Sequence, residues 1–235
     1  IVEQLLNRVG LAALAQRYPH TLSGGQQQRI ALVRALAPRP RVMLLDEPFA
    51  SVDTPLRRQL RQDARQELKQ AGTTTIMVTH DPEEAMAMAD RILVLVEGEA
   101  VQLDTPQALW QQPAHRFVAE TIAGLQTLRG KVTGDHIATA FGELAIDAIR
   151  GASALTDGQA ITLGVRGSSV RIAHDVTERA AYSAVEDIRF DGMHWTALVR
   201  HEDQQLRFVL DHKSQVQTGS QVALSFTDVE AVLYS

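Results

Sequence analysis

Cysteine is absent from all 235 residues, so the chain can hold neither a disulfide nor a thiolate metal site, and its compartment is left open. No apolar run approaches the roughly 18 residues that a membrane-crossing helix needs. Lysine is scarce: Lys69, Lys131 and Lys213 are the whole set. A phosphate-cradling loop needs Gly, four residues, then Gly-Lys-Ser/Thr. Gly130-Lys131 is followed by Val132 and position 125 is Leu, so that loop is missing. An excess of positive charge is missing too. Residues 1–129 carry 14 basic and 14 acidic side chains, residues 130–235 carry 9 and 14, and neither part looks built to hold nucleic acid. What is there is ordinary for a soluble globular chain: 45% apolar and 22% charged residues, enough for one large domain or two modest ones. The first residue is Ile1 and not Met, inside an apparent helix, so the chain reads as a piece of something longer and nothing follows about targeting.

The stretch that organises the sequence is Leu22 to Arg29, Leu-Ser-Gly-Gly-Gln-Gln-Gln-Arg. A serine and two glycines directly before a helical pattern leave backbone N–H groups uncovered at the positive end of a helix dipole, an arrangement suited to a phosphate. Gly24 and Gly25 let an oxyanion approach the main chain, and the Ser23 hydroxyl can add a hydrogen bond. Taken alone, Ser-Gly-Gly is equally an ordinary turn. Seventeen residues beyond Arg29 comes Asp46, at the end of Val42-Met43-Leu44-Leu45-Asp46-Glu47-Pro48. A short apolar run without alternation predicts a strand buried on both faces of a parallel sheet. Carboxylates at the end of such a strand lie where open α/β sheets bind ligands. Ile76, Met77 and Val78 predict a second buried strand, running into Thr79-His80-Asp81.

Between and around these, Ile1 to Ala15 predicts a helix and a shorter one after it, and Gln26 to Ala37 a helix ended by Pro38 and Pro40. Thr54-Pro55 opens a helix whose apolar residues Leu56, Leu60, Ala64 and Leu68 recur every four, and Gly72 ends it. Its arginines, Arg57, Arg58, Arg61 and Arg65, are interleaved with Asp63 and Glu67 and are expected to form a solvated face. Asp81-Pro82-Glu83-Glu84 starts the next helix, and Glu97-Gly98-Glu99 signals a hairpin. Two short helices follow around Pro113, and Gly124 to Arg129 reads as a linker. Beyond it the chain turns to short strands rich in Val, Ile, Thr and Phe, broken by Gly and Asp-Gly turns, which predicts a small antiparallel barrel. The histidines His136, His174, His194, His201 and His212 show no local ligand spacing and are expected to be surface or barrel-filling residues.

Leu22-Ser23-Gly24-Gly25-Gln26, Asp46-Glu47 and His80 resemble, in order and separation, the signature motif, Walker B motif and switch histidine of ATP-binding cassette (ABC) transporter ATPases. Phe49-Ala50-Ser51-Val52-Asp53 resembles their D-loop. Leu163-Gly164-Val165-Arg166 and Val222 to Tyr234 resemble the β-rich TOBE domain of bacterial importer ATPases, although Gly167-Ser168 stands where Pro-Glu is common in that group. The resemblance implies an α/β fold: the C-terminal part of a P-loop (RecA-like) ABC domain over residues 1–124, a linker at 125–129, and an OB-like TOBE barrel over 130–235. It implies ATP and Mg²⁺ as cofactors. Asp46 would hold the metal, Glu47 would act as general base and His80 would hold Glu47 and meet the γ-phosphate. Leu22, Ser23, Gly24, Gly25 and Gln26 would serve the nucleotide of the other subunit in a head-to-tail dimer, and Asp53 would couple the two sites. The implied partners are a second ATPase subunit, transmembrane permease subunits and, indirectly, a solute-binding protein, at the cytoplasmic face of a bacterial inner membrane. Ferric iron is the solute favoured by the wording of the Walker B and D-loop stretch; polyamine, phosphonate, sulfate and sugar importers share nearly all of it. A soluble ABC ATPase of DNA repair or translation, or a regulatory module binding a small anion or metal, are the competing readings. Without the lysine loop, the chain by itself is expected to bind Mg-ATP poorly and to hydrolyse none.

Overall fold

The computed structural model describes residues 2–50, 54–150, 155–173, 181–211, 214–226 and 231–234. It divides into two compact units, Ile1–Ile92 and Leu93–Ser235. The first unit is α/β. It contains α1 (Val2–Arg8), α2 (Gly24–Leu36), β1 (Val42–Asp46), α3 (Thr54–Ala71), β2 (Thr74–Val78) and α4 (Pro82–Met88). Strands β1 and β2 pair in parallel, with Val42 opposite Thr74 and Asp46 opposite Val78. The helices pack through small apolar clusters: Leu6, Val9 and Leu11 with Val33, Phe49 with Leu60 and Ala64, and Leu36 with Met43 and Leu68. Ion pairs reinforce them, Arg8 with Glu67 (2.5 Å) and Arg29 with Asp63 (2.7 Å), so both α1 and α2 are tied to α3.

The burial of β1 differs from the expectation. Met43 is buried, but Leu44 is 73% exposed, and on β2 Ile76 is 57% exposed. Among the described residues this sheet has two strands, and helices cover only one of its faces. An apolar run thus shows the alternation of a half-covered sheet, because burial on both faces needs a layer on each.

The second unit is β-rich. Its elements begin with the hairpin β3 (Ile92–Val96) and β4 (Glu99–Asp104), turning at Glu97-Gly98 as expected, then α5 (Pro106–Gln111) and α6 (Arg116–Thr121). Then come β5 (Leu125–Thr133), β6 (His136–Thr139), β7 (Gly142–Ala145), β8 (Ile149–Arg150) and β9 (Ala160–Arg166). The remaining strands are β10 (Val170–Ile172), β11 (Tyr182–Phe190), β12 (Trp195–His201), β13 (Gln204–Leu210), β14 (Gln221–Phe226) and β15 (Ala231–Tyr234). They form a five-stranded sheet, β10-β14-β11-β12-β13, and a six-stranded one, β7-β6-β5-β9-β15-β8, antiparallel apart from the β15–β8 pair. One core lies between them, built on Leu128, Ile137, Phe141, Leu163, Val199 and Phe208. The residues 125–129 lie within β5, where Leu125 and Leu128 are buried.

Arg166 and Gly167 show how this core is closed at one end. Arg166, at the end of β9, is buried; its guanidinium donates to the carbonyls of Ala123 and Trp110 and lies 3.5 Å from the centre of the Trp110 ring. It therefore fastens the end of α5 and the residues after α6 to β9. Next to it, a Cβ on Gly167 would come within 2.5 Å of the Arg207 carbonyl oxygen of β13. The Gln126 side chain reaches the same residue, accepting from Arg207 N (2.7 Å) and donating to Arg207 O (2.6 Å). Glycine at 167 is thus explained by a close approach of main chain, and the departure from Pro-Glu has a local cause. Gly167→Ala is expected to cost about 1–3 kcal/mol, the range for overpacking a filled site. Denaturant unfolding checks it, and an unchanged midpoint would contradict it.

Candidate functional site

The parallel register of β1 and β2 assembles the site. Because Asp46 sits opposite Val78, the residues that follow each strand emerge at the same edge: Glu47 after β1 and Thr79-His80 after β2. Glu47 keeps contact with β2 through its own N–H, which donates to Val78 O (2.9 Å). It adopts φ +41°, a left-handed conformation that a non-glycine residue takes up at a cost of about 1–3 kcal/mol. That conformation turns the chain at the strand end, and the Glu47 carboxylate meets the ring of His80, whose Nδ1–H donates to Glu47 Oε1 at 2.9 Å. Asp46 stands beside it, exposed at the end of the strand.

The loop carrying His80 is held from below. Asp81 caps α4, its Oδ1 accepting from the N–H groups of Glu83 (2.8 Å) and Glu84 (3.3 Å). The Thr79 hydroxyl donates to the Glu84 carboxylate (2.8 Å) and accepts from Asp81 N (3.1 Å). Glu84 is only 2% exposed, so this carboxylate is a buried anchor for the loop and not a surface charge of the first helical turn. Sequence reasoning read it only as a favourable acid at a helix start. The pattern Asp81-x-x-Glu84 was the available signal for a cap, but nothing in it marks burial.

The glutamate raises the pKa of His80 above the ordinary 6.5, first through the hydrogen bond and then through its charge, with Asp81 and Glu84 adding to it. A histidine whose folded value is raised contributes stability that is complete below its unfolded pKa and is lost as pH rises through the folded one. A proton NMR titration of His80 is expected to give a midpoint above 6.5, returning towards it in Glu47→Gln; an unshifted midpoint in the unmodified chain would refute the pairing in solution.

The glycine stretch forms the start of α2. Ser23 is the N-cap: its Oγ accepts from Gln26 N (3.4 Å), and the Gln26 side chain accepts from Ser23 N (3.0 Å), a reciprocal capping box. Gln27 steadies the approach by donating to the carbonyls of Pro19 and Leu22 (both 3.0 Å), and Leu22 itself is buried. A Cβ on Gly24 would meet nothing within 4 Å, and its φ is not in the left-handed range, so the fold of this unit makes no demand for glycine there. Space is left open over the helix start. Among the described residues no hydrogen bond or ion pair joins Ser23, Gly24, Gly25 or Gln26 to Glu47 or His80. The structure therefore brings together Glu47 and His80 beside Asp46, and leaves the glycine stretch as a separate element. Asp53 lies outside the described residues.

Residues 1–50, which include the capped glycine stretch and the Asp46-Glu47 strand end, match the ABC transporter family. The chain is also similar to importer ATP-binding proteins. It is 48% identical over 125 residues to the Fe(3+) ions import ATP-binding protein FbpC of Haemophilus influenzae (strain 86-028NP), covering 52% of this chain and 36% of that protein. It is 46% identical over 136 residues to the sulfate/thiosulfate import ATP-binding protein CysA of Yersinia pseudotuberculosis, covering 58% and 38%. The corresponding Escherichia coli K12 protein is 47% identical over 133 residues, covering 57% and 36%. The matches thus span little more than a third of the length of these relatives.

Proposed function

We propose that this chain is part of the ATP-binding and hydrolysing subunit that powers a bacterial ABC importer. The observation that carries the reading is the hydrogen bond between His80 and Glu47 at the shared edge of two parallel strands. A carboxylate held there is suited to take a proton from an attacking water, and an imidazole held against it fixes its direction. Glu47 is the general base in this reading and His80 the residue that orients it and contacts the γ-phosphate. The exposed Asp46 carboxylate, which enters no described hydrogen bond or ion pair, fits a cation that keeps most of its waters and takes few carboxylates, as Mg²⁺ does. Bound there, Mg²⁺ would neutralise phosphate charge. Ser23, Gly24 and Gly25, with Leu22 and Gln26 shaping the turn, would present N–H groups to the nucleotide of a second subunit in a head-to-tail pair, with Asp53 between the two sites. ATP then favours the closed pair, and its loss favours the open one.

The importer's permease subunits and a solute-binding protein are the further partners, with the chain at the cytoplasmic face of the membrane; none of its described helices is long and apolar enough to cross one. Ferric iron is the proposed cargo, supported by the 48% identity to the ferric import subunit against 46–47% to the sulfate ones. The β-rich residues 130–235 serve as the TOBE-like domain. Deleting the gene from its host tests both levels. Loss of ATP-dependent uptake of radiolabelled ferric iron supports the whole reading. Loss of sulfate uptake with iron uptake intact replaces the cargo, and no change in uptake of any solute overturns the transport reading.

A further inference from the structure

One arginine of α3 departs from the solvated face that their spacing suggests: Arg61 is buried, while Arg58 is exposed and Arg57 and Arg65 are half-buried. Arg58, Arg61 and Arg65 recur at intervals of three and four residues and so share one side of the helix, which faces α4. They line a groove of about 540 Å³ together with Gln62, Gln66 and Glu83. Arg61 is only 8% exposed. Its Nη2 lies 3.5 Å from Glu83 Oε2, at the limit of a hydrogen bond, and its Nη1 is buried without a partner. Glu83 is 81% exposed, so its charge is largely screened by water. Arg65 spans to the Met88 carbonyl (3.4 Å) and more loosely to Asp90 (3.8 Å). Three guanidinium groups thus face a single lining carboxylate.

We propose that this groove binds a phosphate group, either free or carried by an acidic phospholipid. A buried guanidinium N–H without an acceptor costs about 1–3 kcal/mol, and a tetrahedral oxyanion would supply that acceptor. Arginine's planar fork matches phosphate oxygens in pairs, and Gln62 and Gln66 add neutral donors beside it. The site is distinct from the glycine stretch and from the Glu47–His80 pair, and it holds whether or not the transport reading does.

The test uses the whole chain with two probes: calorimetric titration with inorganic phosphate, and co-sedimentation with phosphatidylcholine vesicles with and without phosphatidic acid. Arg58→Gln/Arg65→Gln changes the two less buried arginines, and Arg61→Lys keeps the charge while removing the fork. Each arginine is expected to contribute about tenfold in affinity, so the double variant should bind about a hundredfold more weakly and Arg61→Lys about tenfold. Saturable phosphate binding lost in these variants identifies a free-phosphate site. Vesicle binding that needs phosphatidic acid and is lost in the same variants, with no free-phosphate binding, identifies a headgroup site. Binding indifferent to the three arginines, as the signature loop would give, or no phosphate-dependent binding with either probe, overturns the proposal.

Discussion

Glu47→Gln is expected to lower ATP turnover by about 10²–10⁴-fold in an assembly that supplies the phosphate-cradling lysine to this chain, the range for removing a positioned general base. The substitution keeps the shape of the side chain, and an amide oxygen can still accept from His80, so the loop after β2 should hold its course. Binding of Mg-ATP should persist while turnover is lost, because Asp46 and the glycine stretch are untouched. That split separates a base from a scaffold. If turnover in Glu47→Gln stayed within a factor of three of the unmodified protein, Glu47 would be only a structural partner of the histidine. His80→Ala should also slow turnover, and loss of its hydrogen bond leaves the glutamate free to turn at the strand end. The left-handed backbone of Glu47 gives a further reason to expect a functional role, since a conformation of that cost persists where surrounding structure holds it.

The largest expected stability effect belongs to Arg166→Met. The methionine fills space of similar length but leaves two carbonyls, those of Ala123 and Trp110, without the donor that now reaches both. It also removes a cation from the face of the Trp110 ring. Charge-assisted hydrogen bonds contribute about 1.5–3 kcal/mol each, and a desolvated cation–π contact about 2. Allowing for partial rearrangement, a loss of about 3–5 kcal/mol is expected, read as a fall in melting temperature of about 10 °C. Arg166→Lys should recover only part of it, because an ammonium cannot serve both carbonyls and lie flat on the indole. A melting point within about 2 °C of the unmodified chain would mean that the guanidinium is replaceable by solvent.

How much of this was legible beforehand depended on whether neighbours in sequence were also neighbours in space. Two apolar runs ending in polar residues were readable as strands that present Glu47 and His80 at their ends, whereas the contact between the two was only what the family resemblance implied. Ser23 was readable as a helix start, though its capping box with Gln26 is more local than a phosphate contact. The burial of Arg61 on α3 was not readable. Alternating charge along a helix looks solvated until another helix lies over it, and nothing in residues 57–69 records that Glu83 and its helix do so. Gly167 was visible only as a departure from a common pattern; the Arg207 carbonyl that explains it is forty residues away. The β-rich character of the second unit followed from strand texture, but its arrangement as two sheets, and the partners of each strand, such as β9 between β5 and β15, could not be derived from alternation.

The bare side of β1 and β2 sets conditions on handling. Val42, Leu44, Ile76 and Val78 form an oily strip on a short parallel ribbon, and each side chain would gain about 1.5–3 kcal/mol by leaving water. Purified at high concentration, the chain should therefore crowd into assemblies through this strip, take up a fluorescent apolar dye, and recover as a dispersed species once mild detergent is added. Wherever it is found dispersed without such help, something already lies over those four residues.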